Sequence, residues 1–123
     1  MSRITIYHNP RCSKSRQTLA LLKENGVEPE VVEYLKEPPT LDELEGLCGK
    51  LGKEPLEWMR TGEKTFRELG LSRKDDRPRE SWLQFLAENP ILIERPIVIR
   101  GARAVLGRPP ENVLDLITGE GKG

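Results

Sequence analysis

Cysteine and histidine are scarce in this chain, and the scarcity excludes two classes of protein. The 123 residues include two cysteines and one histidine. Cys12 and Cys48 alone cannot form the disulfide framework that stabilises many small secreted domains. One histidine and two cysteines far apart in sequence also do not supply the ligands of a zinc site, so we expect no bound metal.

Neither sign of charge is in excess, and long apolar runs are missing. The 20 Lys and Arg residues balance 20 Asp and Glu residues, so the chain lacks the bulk field that attracts nucleic acid or an anionic membrane. No apolar run approaches the length of a membrane span, and no signal-peptide core follows Met1. We therefore expect a cytoplasmic monomer that binds neither nucleic acid nor membrane. A free thiol can persist in that reducing compartment.

The segment His8–Arg16 carries the strongest signal in the sequence. It follows a β-type pattern at Ile4–Tyr7 and opens into a helical pattern that ends near Asn25-Gly26. Cys12 is therefore expected just before a helix N-terminus, where free amide N–H groups and the helix dipole favour a thiolate. The same donors would hold an oxyanion.

The residues around Cys12 leave several interpretations open. A buried apolar role for Cys12 is disfavoured, because its neighbours are Arg, Ser, Lys and Ser. For Arg11 and Lys14, a solvated loop is as good an interpretation as a functional one. His8 could pair with the Cys12 sulfur, or it could be a strand-end residue bonded to a backbone carbonyl.

The rest of the chain predicts one α/β domain at residues 1–118, with a flexible tail at 119–123. A second strand at Val31–Tyr34 completes a βαβ unit. Residues from about 40 to 88 form short helical patterns without a convincing strand, beginning at a capping box at Thr40–Glu43. We interpret them as an all-helical insertion.

A hairpin and a last helix follow the insertion. Ile97–Arg100 and Arg103–Leu106 flank Gly101-Ala102, which predicts a type II′ turn. The final helix is predicted at Glu111–Ile117. In the insertion, Cys48 belongs to an apolar helical stripe that begins at Leu41 and is predicted to be a core residue, with nothing nearby to activate it.

This order of elements resembles the thioredoxin fold. A reactive cysteine follows the first strand, and a proline precedes the later hairpin. The resemblance implies a mixed four-stranded sheet made of the βαβ unit and the C-terminal hairpin and helix, with the insertion between the second and third strands. It also implies that the Arg95–Pro96 peptide is cis and that Pro96 lies beside the active cysteine.

More specifically, the chain resembles the glutaredoxin-coupled arsenate reductase family (ArsC/Spx-like), which includes enzymes of arsenic detoxification and Spx-type transcription regulators. The resemblance extends from Ile4 to about Ile117. It is carried by five groups of residues: Ile4–Pro10 with Cys12 and Ser15-Arg16, Tyr34-Leu35, Pro38-Pro39, Asn89–Ile93 with Arg95–Val98, and Arg108-Pro109.

The resemblance implies an oxidoreductase site. Cys12 matches the nucleophile, and His8 matches a histidine thought to tune it. The oxyanion-binding arginines match Arg60, Arg95 and Arg108. Supporting positions are Ser15, Arg16 and Pro96.

The reductants implied are glutathione, as co-substrate, and glutaredoxin, with no bound cofactor. Ser15 stands where a CxxC protein has its second cysteine, so this chain cannot close the usual local disulfide and needs an outside thiol.

Two rival functions stay open at this point. Ser13-Lys14 replaces the Gly-Thr or similar pair of the best-known arsenate reductases, which leaves room for another substrate. One rival is a Spx-like regulator that binds RNA polymerase, and the other is a glutathione-dependent thiol reductase. The CxxS motif and the three matched arginines favour the enzyme over the regulator.

Overall fold

The computed structural model describes residues 3–118 of the chain, without the side chain of Thr118. The segment 119–123, predicted to be a flexible tail, lies outside the described residues. The described chain forms two compact units. The sheet unit consists of the segment up to Glu37 and the segment from Arg95 onward, and the helical unit is Pro38–Glu94.

The sheet unit confirms the predicted thioredoxin-like arrangement. Its elements are β1 (Ile4–Tyr7), α1 (Ser13–Glu24), β2 (Glu30–Val32), β3 (Ile97–Arg100), β4 (Arg103–Leu106) and α5 (Asn112–Thr118). The strand order is β2-β1-β3-β4. β1 pairs in parallel with β2 and antiparallel with β3, and β3 pairs antiparallel with β4. The βαβ unit and the hairpin thus share one mixed sheet.

Alternation along the strands places one apolar face of this sheet under the helices. Ile4 and Ile6 of β1 pack in one buried cluster with Val98 of β3, because successive strand side chains point to opposite faces. The helices contribute Leu22, Val113 and Leu116 to the same cluster. Fully burying a side chain of this size stabilises the fold by about 1.5–3 kcal/mol.

The hairpin turn also follows its sequence signal. Gly101 has a φ of +59°, and Ala102 does not adopt a positive φ. This is the pattern that a type II′ turn requires, with glycine at its first central position.

The second strand differs from its prediction. It runs from Glu30 to Val32, whereas the pattern predicted Val31–Tyr34. The Glu33 carbonyl accepts hydrogen bonds from the N–H groups of Lys36 and Glu37, both at 2.9 Å, so the chain turns there. Tyr34 is 1% exposed, and its apolar character reflects burial in a turn rather than strand pairing.

The helical unit confirms the prediction of an insertion made of short helices. It contains α2 (Leu41–Leu51), α3 (Lys64–Glu68), α4 (Arg79–Glu88) and 3₁₀ helices at Pro55–Trp58 and Pro90–Leu92. Extended pairing in it is limited to a single bridge between Met59 and Ile93. The capping box is confirmed: Thr40 Oγ1 accepts from Glu43 N–H at 3.2 Å, and Glu43 Oε1 accepts from Thr40 N–H at 2.8 Å.

Two details of α2 depart from the predicted stripe. Leu41, assigned to the stripe, is exposed, while Cys48 is buried as predicted. Cys48 nevertheless has a charged neighbour, because the Arg79 guanidinium, which pairs with Glu45 and Glu54, also interacts with its sulfur.

None of the helices within residues 3–118 has both the length and the apolar character needed to cross a bilayer.

Candidate active site

Cys12 is the N-cap residue of α1, as the sequence predicts. Its backbone is extended, with φ −97° and ψ 123°, and its carbonyl accepts the N–H of Arg16 at 3.0 Å. An N-cap side chain normally accepts hydrogen bonds from the N–H groups of the second and third helical residues. Here those residues are Lys14 and Ser15. The Cys12 side chain makes no capping hydrogen bond, but the backbone N–H groups of both residues act on the sulfur and lower the pKa of Cys12.

These contacts favour the thiolate. Burial is the largest single influence and raises the pKa of Cys12, but the opposing effects together exceed it. The Ser15 N–H, the charge of Arg95, the Lys14 N–H and a hydrogen bond from the Arg95 side chain all lower that pKa, and the net shift is downward. The Cys12 thiol is therefore more acidic than an ordinary cysteine thiol, which favours its thiolate form.

The burial of Cys12 corrects the expectation from sequence. The thiol was expected outside the core because its sequence neighbours are polar, yet the residue is only 9% exposed. Polar sequence neighbours thus do not make the residue exposed, and the N–H groups of two of them and a guanidinium from a distant segment act on the sulfur.

The Arg95 side chain reaches the Cys12 sulfur from the segment just before β3. The Arg95–Pro96 peptide is cis, which confirms the prediction. Arg108 lies beside Arg95, since its Nη1 donates to the Arg95 carbonyl at 3.0 Å. The N–H of Gly107 donates to the Pro96 carbonyl at 2.9 Å. The sheet unit thus brings Cys12, Arg95 and Arg108 into one connected group.

The segment that carries Arg108 has two features that sequence reasoning missed. The Arg108–Pro109 peptide is also cis. Asn112, the first residue of α5, donates through Nδ2 to the carbonyls of Leu106 at 3.0 Å and Arg108 at 3.1 Å. An asparagine directly after Pro-Pro-Glu at a helix start was the available signal, because asparagine side chains commonly bond nearby backbone groups.

His8 reaches the site through Ser15. The Nδ1 atom of His8 lies 2.7 Å from Ser15 Oγ, which also accepts the N–H of Asn9 at 3.0 Å. Within residues 3–118, the hydrogen-bond partner of the His8 ring is Ser15 rather than Cys12. The proposed direct pairing of His8 with the sulfur is therefore not what the structure contains.

The environment of His8 keeps its ring neutral. Burial lowers the pKa of His8 most strongly, Glu33 raises it and Arg16 lowers it, with a net downward shift. Ser15 is itself fully buried, so the single serine connects the histidine, the preceding loop and, through its N–H, the cysteine sulfur.

The other basic residues of the loop have mixed roles. Arg16 Nη1 donates to the Pro10 carbonyl at 2.9 Å, which ties the first turn of α1 to the loop before Cys12. Arg11 is exposed and Lys14 is half-buried. For Arg11, this exposure fits the solvated-loop interpretation.

Arg60 belongs to the helical unit. Its N–H donates to the Leu92 carbonyl at 2.7 Å, and its Nη1 donates to the Ile91 carbonyl at 3.2 Å. Its Nη2 forms a salt bridge of 2.9 Å with Glu63 Oε2. Its participation in an oxyanion site stays a prediction from the family resemblance.

The groups that contact the Cys12 sulfur are hydrogen-bond donors and a cation. Such an arrangement stabilises negative charge on the sulfur and on a nearby oxyanion. It suits nucleophilic chemistry on an anionic substrate better than metal binding, which needs several electron-pair donors directed at one point.

Comparisons with known proteins agree with this arrangement. The sequence profile of the ArsC family matches residues 7–116. The chain is 50% identical over 115 residues to the uncharacterized protein YfgD of Escherichia coli K12, covering 93% of this chain and 96% of YfgD. It is 45% identical over 114 residues to an arsenate reductase of Neisseria meningitidis, covering 92% and 97%.

A solved structure gives the same result at the level of the fold. The arsenate reductase from Vibrio cholerae superimposes with a TM-score of 0.88 at 44% identity, covering 93% of this chain and 97% of that protein. The family profile begins at Tyr7, the last residue of β1, and extends through the helical unit into the final helix. By sequence and by fold, the protein is a member of the ArsC family.

Proposed function

We propose that this protein is an arsenate reductase that takes its electrons from glutathione and glutaredoxin. The observation that carries the proposal is the contact of Cys12 with the Arg95 guanidinium and with the N–H groups of Lys14 and Ser15. This environment lowers the pKa of the thiol and so favours the thiolate, beside donors that also suit an anionic substrate. Relatives named arsenate reductase at 41–45% identity support the choice of substrate.

Substrate binding would rest on the arginines. Arsenate, like phosphate, is largely a dianion at neutral pH, and guanidinium groups bind such oxygens bidentately while remaining charged. Arg95 and Arg108 are neighbours through the Arg95 carbonyl, and the family pattern adds Arg60. Their positive charge reduces the repulsion between the Cys12 thiolate and an approaching dianion.

The first chemical step forms the sulfur–arsenic bond. A lone pair of the Cys12 thiolate attacks As(V), one As–OH bond breaks, and the departing hydroxide takes up a proton from solvent and leaves as water. The product is a thiol-arsenate ester on Cys12.

Reduction follows by attack of an outside thiol. A glutathione thiolate attacks the Cys12 sulfur, and the S–As bond breaks with its electron pair remaining on arsenic, which leaves as arsenite, As(III). The two sulfurs are thereby oxidised to a mixed disulfide. A glutaredoxin thiolate then attacks the glutathione sulfur, and Cys12 departs as a thiolate. Ser15 at the position of a second CxxC cysteine is the reason an outside thiol is needed.

A coupled assay tests this function. Purified protein is given arsenate, glutathione and glutaredoxin, and NADPH consumption through glutathione reductase is followed. Turnover should require arsenate and should be lost in Cys12→Ser, while Cys48→Ser, which removes the other thiol, should retain it. Equal rates for the wild type and Cys12→Ser would refute the proposal.

The rival functions give different results in related assays. Cys12-dependent reduction of a glutathione mixed disulfide, without arsenate-dependent turnover, would identify a thiol reductase instead. Capture of the C-terminal domain of the RNA polymerase α-subunit, again without arsenate turnover, would identify a Spx-like regulator.

A further inference from the structure

Arg60 forms an ion pair with a carboxylate of its own helical unit, that of Glu63. Its Nη2 lies 2.9 Å from Glu63 Oε2, and each of the two side chains is 24% exposed. A charge-assisted hydrogen bond of this length is stronger than a bond between neutral groups. The low exposure also reduces screening by solvent and salt. The negative charge of Glu63 therefore acts on any anion that binds at Arg60.

The backbone holds both members of this pair in place. Glu63 N–H donates to the Arg60 carbonyl at 3.1 Å, and Phe66 N–H donates to the Glu63 carbonyl at 3.0 Å at the start of α3. Arg60 N–H is bonded to the Leu92 carbonyl at 2.7 Å. Both main chains are thus anchored within the helical unit, and the carboxylate stays close to the guanidinium.

An oxyanion that binds Arg60 is placed close to the Glu63 carboxylate. It either competes with Glu63 for the Nη2 hydrogens, or it binds the remaining N–H donors beside a like charge. Coulomb repulsion grows with the charge of the ligand, so a dianion is penalised more than a monoanion. Glu63 therefore opposes the binding of doubly charged oxyanions at this arginine.

We infer that Glu63 is a specificity-determining residue that limits the affinity of Arg60 for dianionic oxyanions such as arsenate and phosphate. The inference rests on the proposed function, because that function assigns Arg60 to the substrate. The Glu63 carboxylate would weaken the binding of the substrate before reaction. Replacing Glu63 should therefore change KM, with little effect on the chemistry at Cys12.

The test compares Glu63→Gln with Glu68→Gln. The first substitution keeps the size of the side chain and its ability to hydrogen-bond Arg60 but removes its charge. The second removes the same charge from α3, where Glu68 pairs loosely with Lys64 at 3.8 Å and is 60% exposed. Arsenate kinetics are measured in the coupled assay, and phosphate affinity is measured by calorimetry on each full-length variant.

Glu63→Gln should lower the KM for arsenate and the Kd for phosphate about two- to fivefold, the range expected for a partly exposed ion pair. The value of kcat should change little, and Glu68→Gln should match the wild type. An unchanged or increased KM and Kd in Glu63→Gln would overturn the inference.

A double-mutant cycle checks that the effect acts through Arg60. In an Arg60→Met background, Glu63→Gln should no longer improve phosphate binding. An equal improvement in that background would show a general charge effect and would overturn the inference.

The calorimetric arm separates this inference from the proposed function. If the wild type turns over arsenate and Glu63→Gln changes neither constant, only the inference fails. If the wild type shows no arsenate turnover but phosphate binds more tightly to Glu63→Gln, the proposed function fails and the role of Glu63 stands. If the wild type neither turns over arsenate nor binds phosphate, both fail.

Discussion

At Cys12, a sulfur atom stands at the helix N-terminus, where a capping serine or aspartate is ordinarily found. The Lys14 and Ser15 N–H groups and the Arg95 guanidinium lower the pKa of this thiol. The sequence could predict the two N–H groups, because they are local to the helix start. It could not predict Arg95, which lies 83 positions along the chain (95 − 12) and reaches the sulfur only through the fold. The family resemblance implied Arg95 as a substrate ligand, and the structure adds its interaction with the Cys12 sulfur.

Replacing Arg95 should therefore make the Cys12 thiol less acidic. In Arg95→Met both the charge and the side-chain hydrogen bond are lost, so we expect the pH midpoint of Cys12 alkylation by iodoacetamide to rise. Arg95→Lys, which keeps the charge, should shift the midpoint less. Mass spectrometry of proteolytic peptides distinguishes Cys12 from Cys48.

Arg103→Met serves as the control for this prediction. It removes an exposed arginine of β4 that is not among the groups that shift Cys12, and its midpoint should equal that of the wild type. Identical midpoints for Arg95→Met and the wild type would show that Arg95 does not lower the pKa of Cys12.

At the scale of elements, the loop between β4 and α5 joins three parts of the sheet unit. Gly107 donates to the Pro96 carbonyl, and its carbonyl lies 3.4 Å from Thr18 Oγ1 of α1. Asn112 of α5 holds the carbonyls on either side of Gly107. Local sequence patterns predicted the strand before this loop, the helix after it and the turn at Gly101, because each of these depends on residues close together in sequence. The requirement for glycine at position 107 arises from close neighbours in two other segments of the chain. It therefore could not be predicted from the local sequence.

Gly107→Ala should destabilise the protein. An added Cβ would lie 2.7 Å from Thr18 Oγ1 and 2.8 Å from Pro96 Cγ, so the loop or its neighbours must shift. Overpacking of this kind typically costs about 1–3 kcal/mol. Since the same loop carries Arg108, the KM for arsenate should also increase.

Urea unfolding gives the stability of this variant. Gly46→Ala is the matched control, because nothing lies within 4 Å of a Cβ at that exposed position of α2. It should be neutral, or stabilising by up to about 1 kcal/mol. The prediction fails if Gly107→Ala is as stable as Gly46→Ala.

At the scale of the whole molecule, acid stability should depend on His8. Its pKa in the folded protein is lowered, chiefly by burial, so the unfolded chain takes up a proton at a higher pH than the folded one. The stabilising contribution of the neutral ring is complete above the unfolded pKa of about 6.5. It is lost as the pH falls from there through the lower pKa of the folded state.

Urea unfolding from pH 8 to pH 5 measures this dependence. His8→Asn should flatten the decline in the free energy of unfolding between about pH 6.5 and the folded pKa. Since His8 is the only histidine in the chain, the difference between the two profiles isolates its titration. Parallel profiles for the wild type and the variant would refute the assignment.

The Ser15 hydroxyl has a single hydrogen, so it can donate to only one acceptor at a time. Its oxygen accepts the Asn9 N–H, and while the His8 ring is neutral the hydroxyl can donate to Nδ1. A protonated ring carries hydrogen on Nδ1 and can only donate, so the hydroxyl must turn its own hydrogen elsewhere. Acidification can thus reverse the polarity of this contact through hydrogen positions alone, without displacement of any heavy atom.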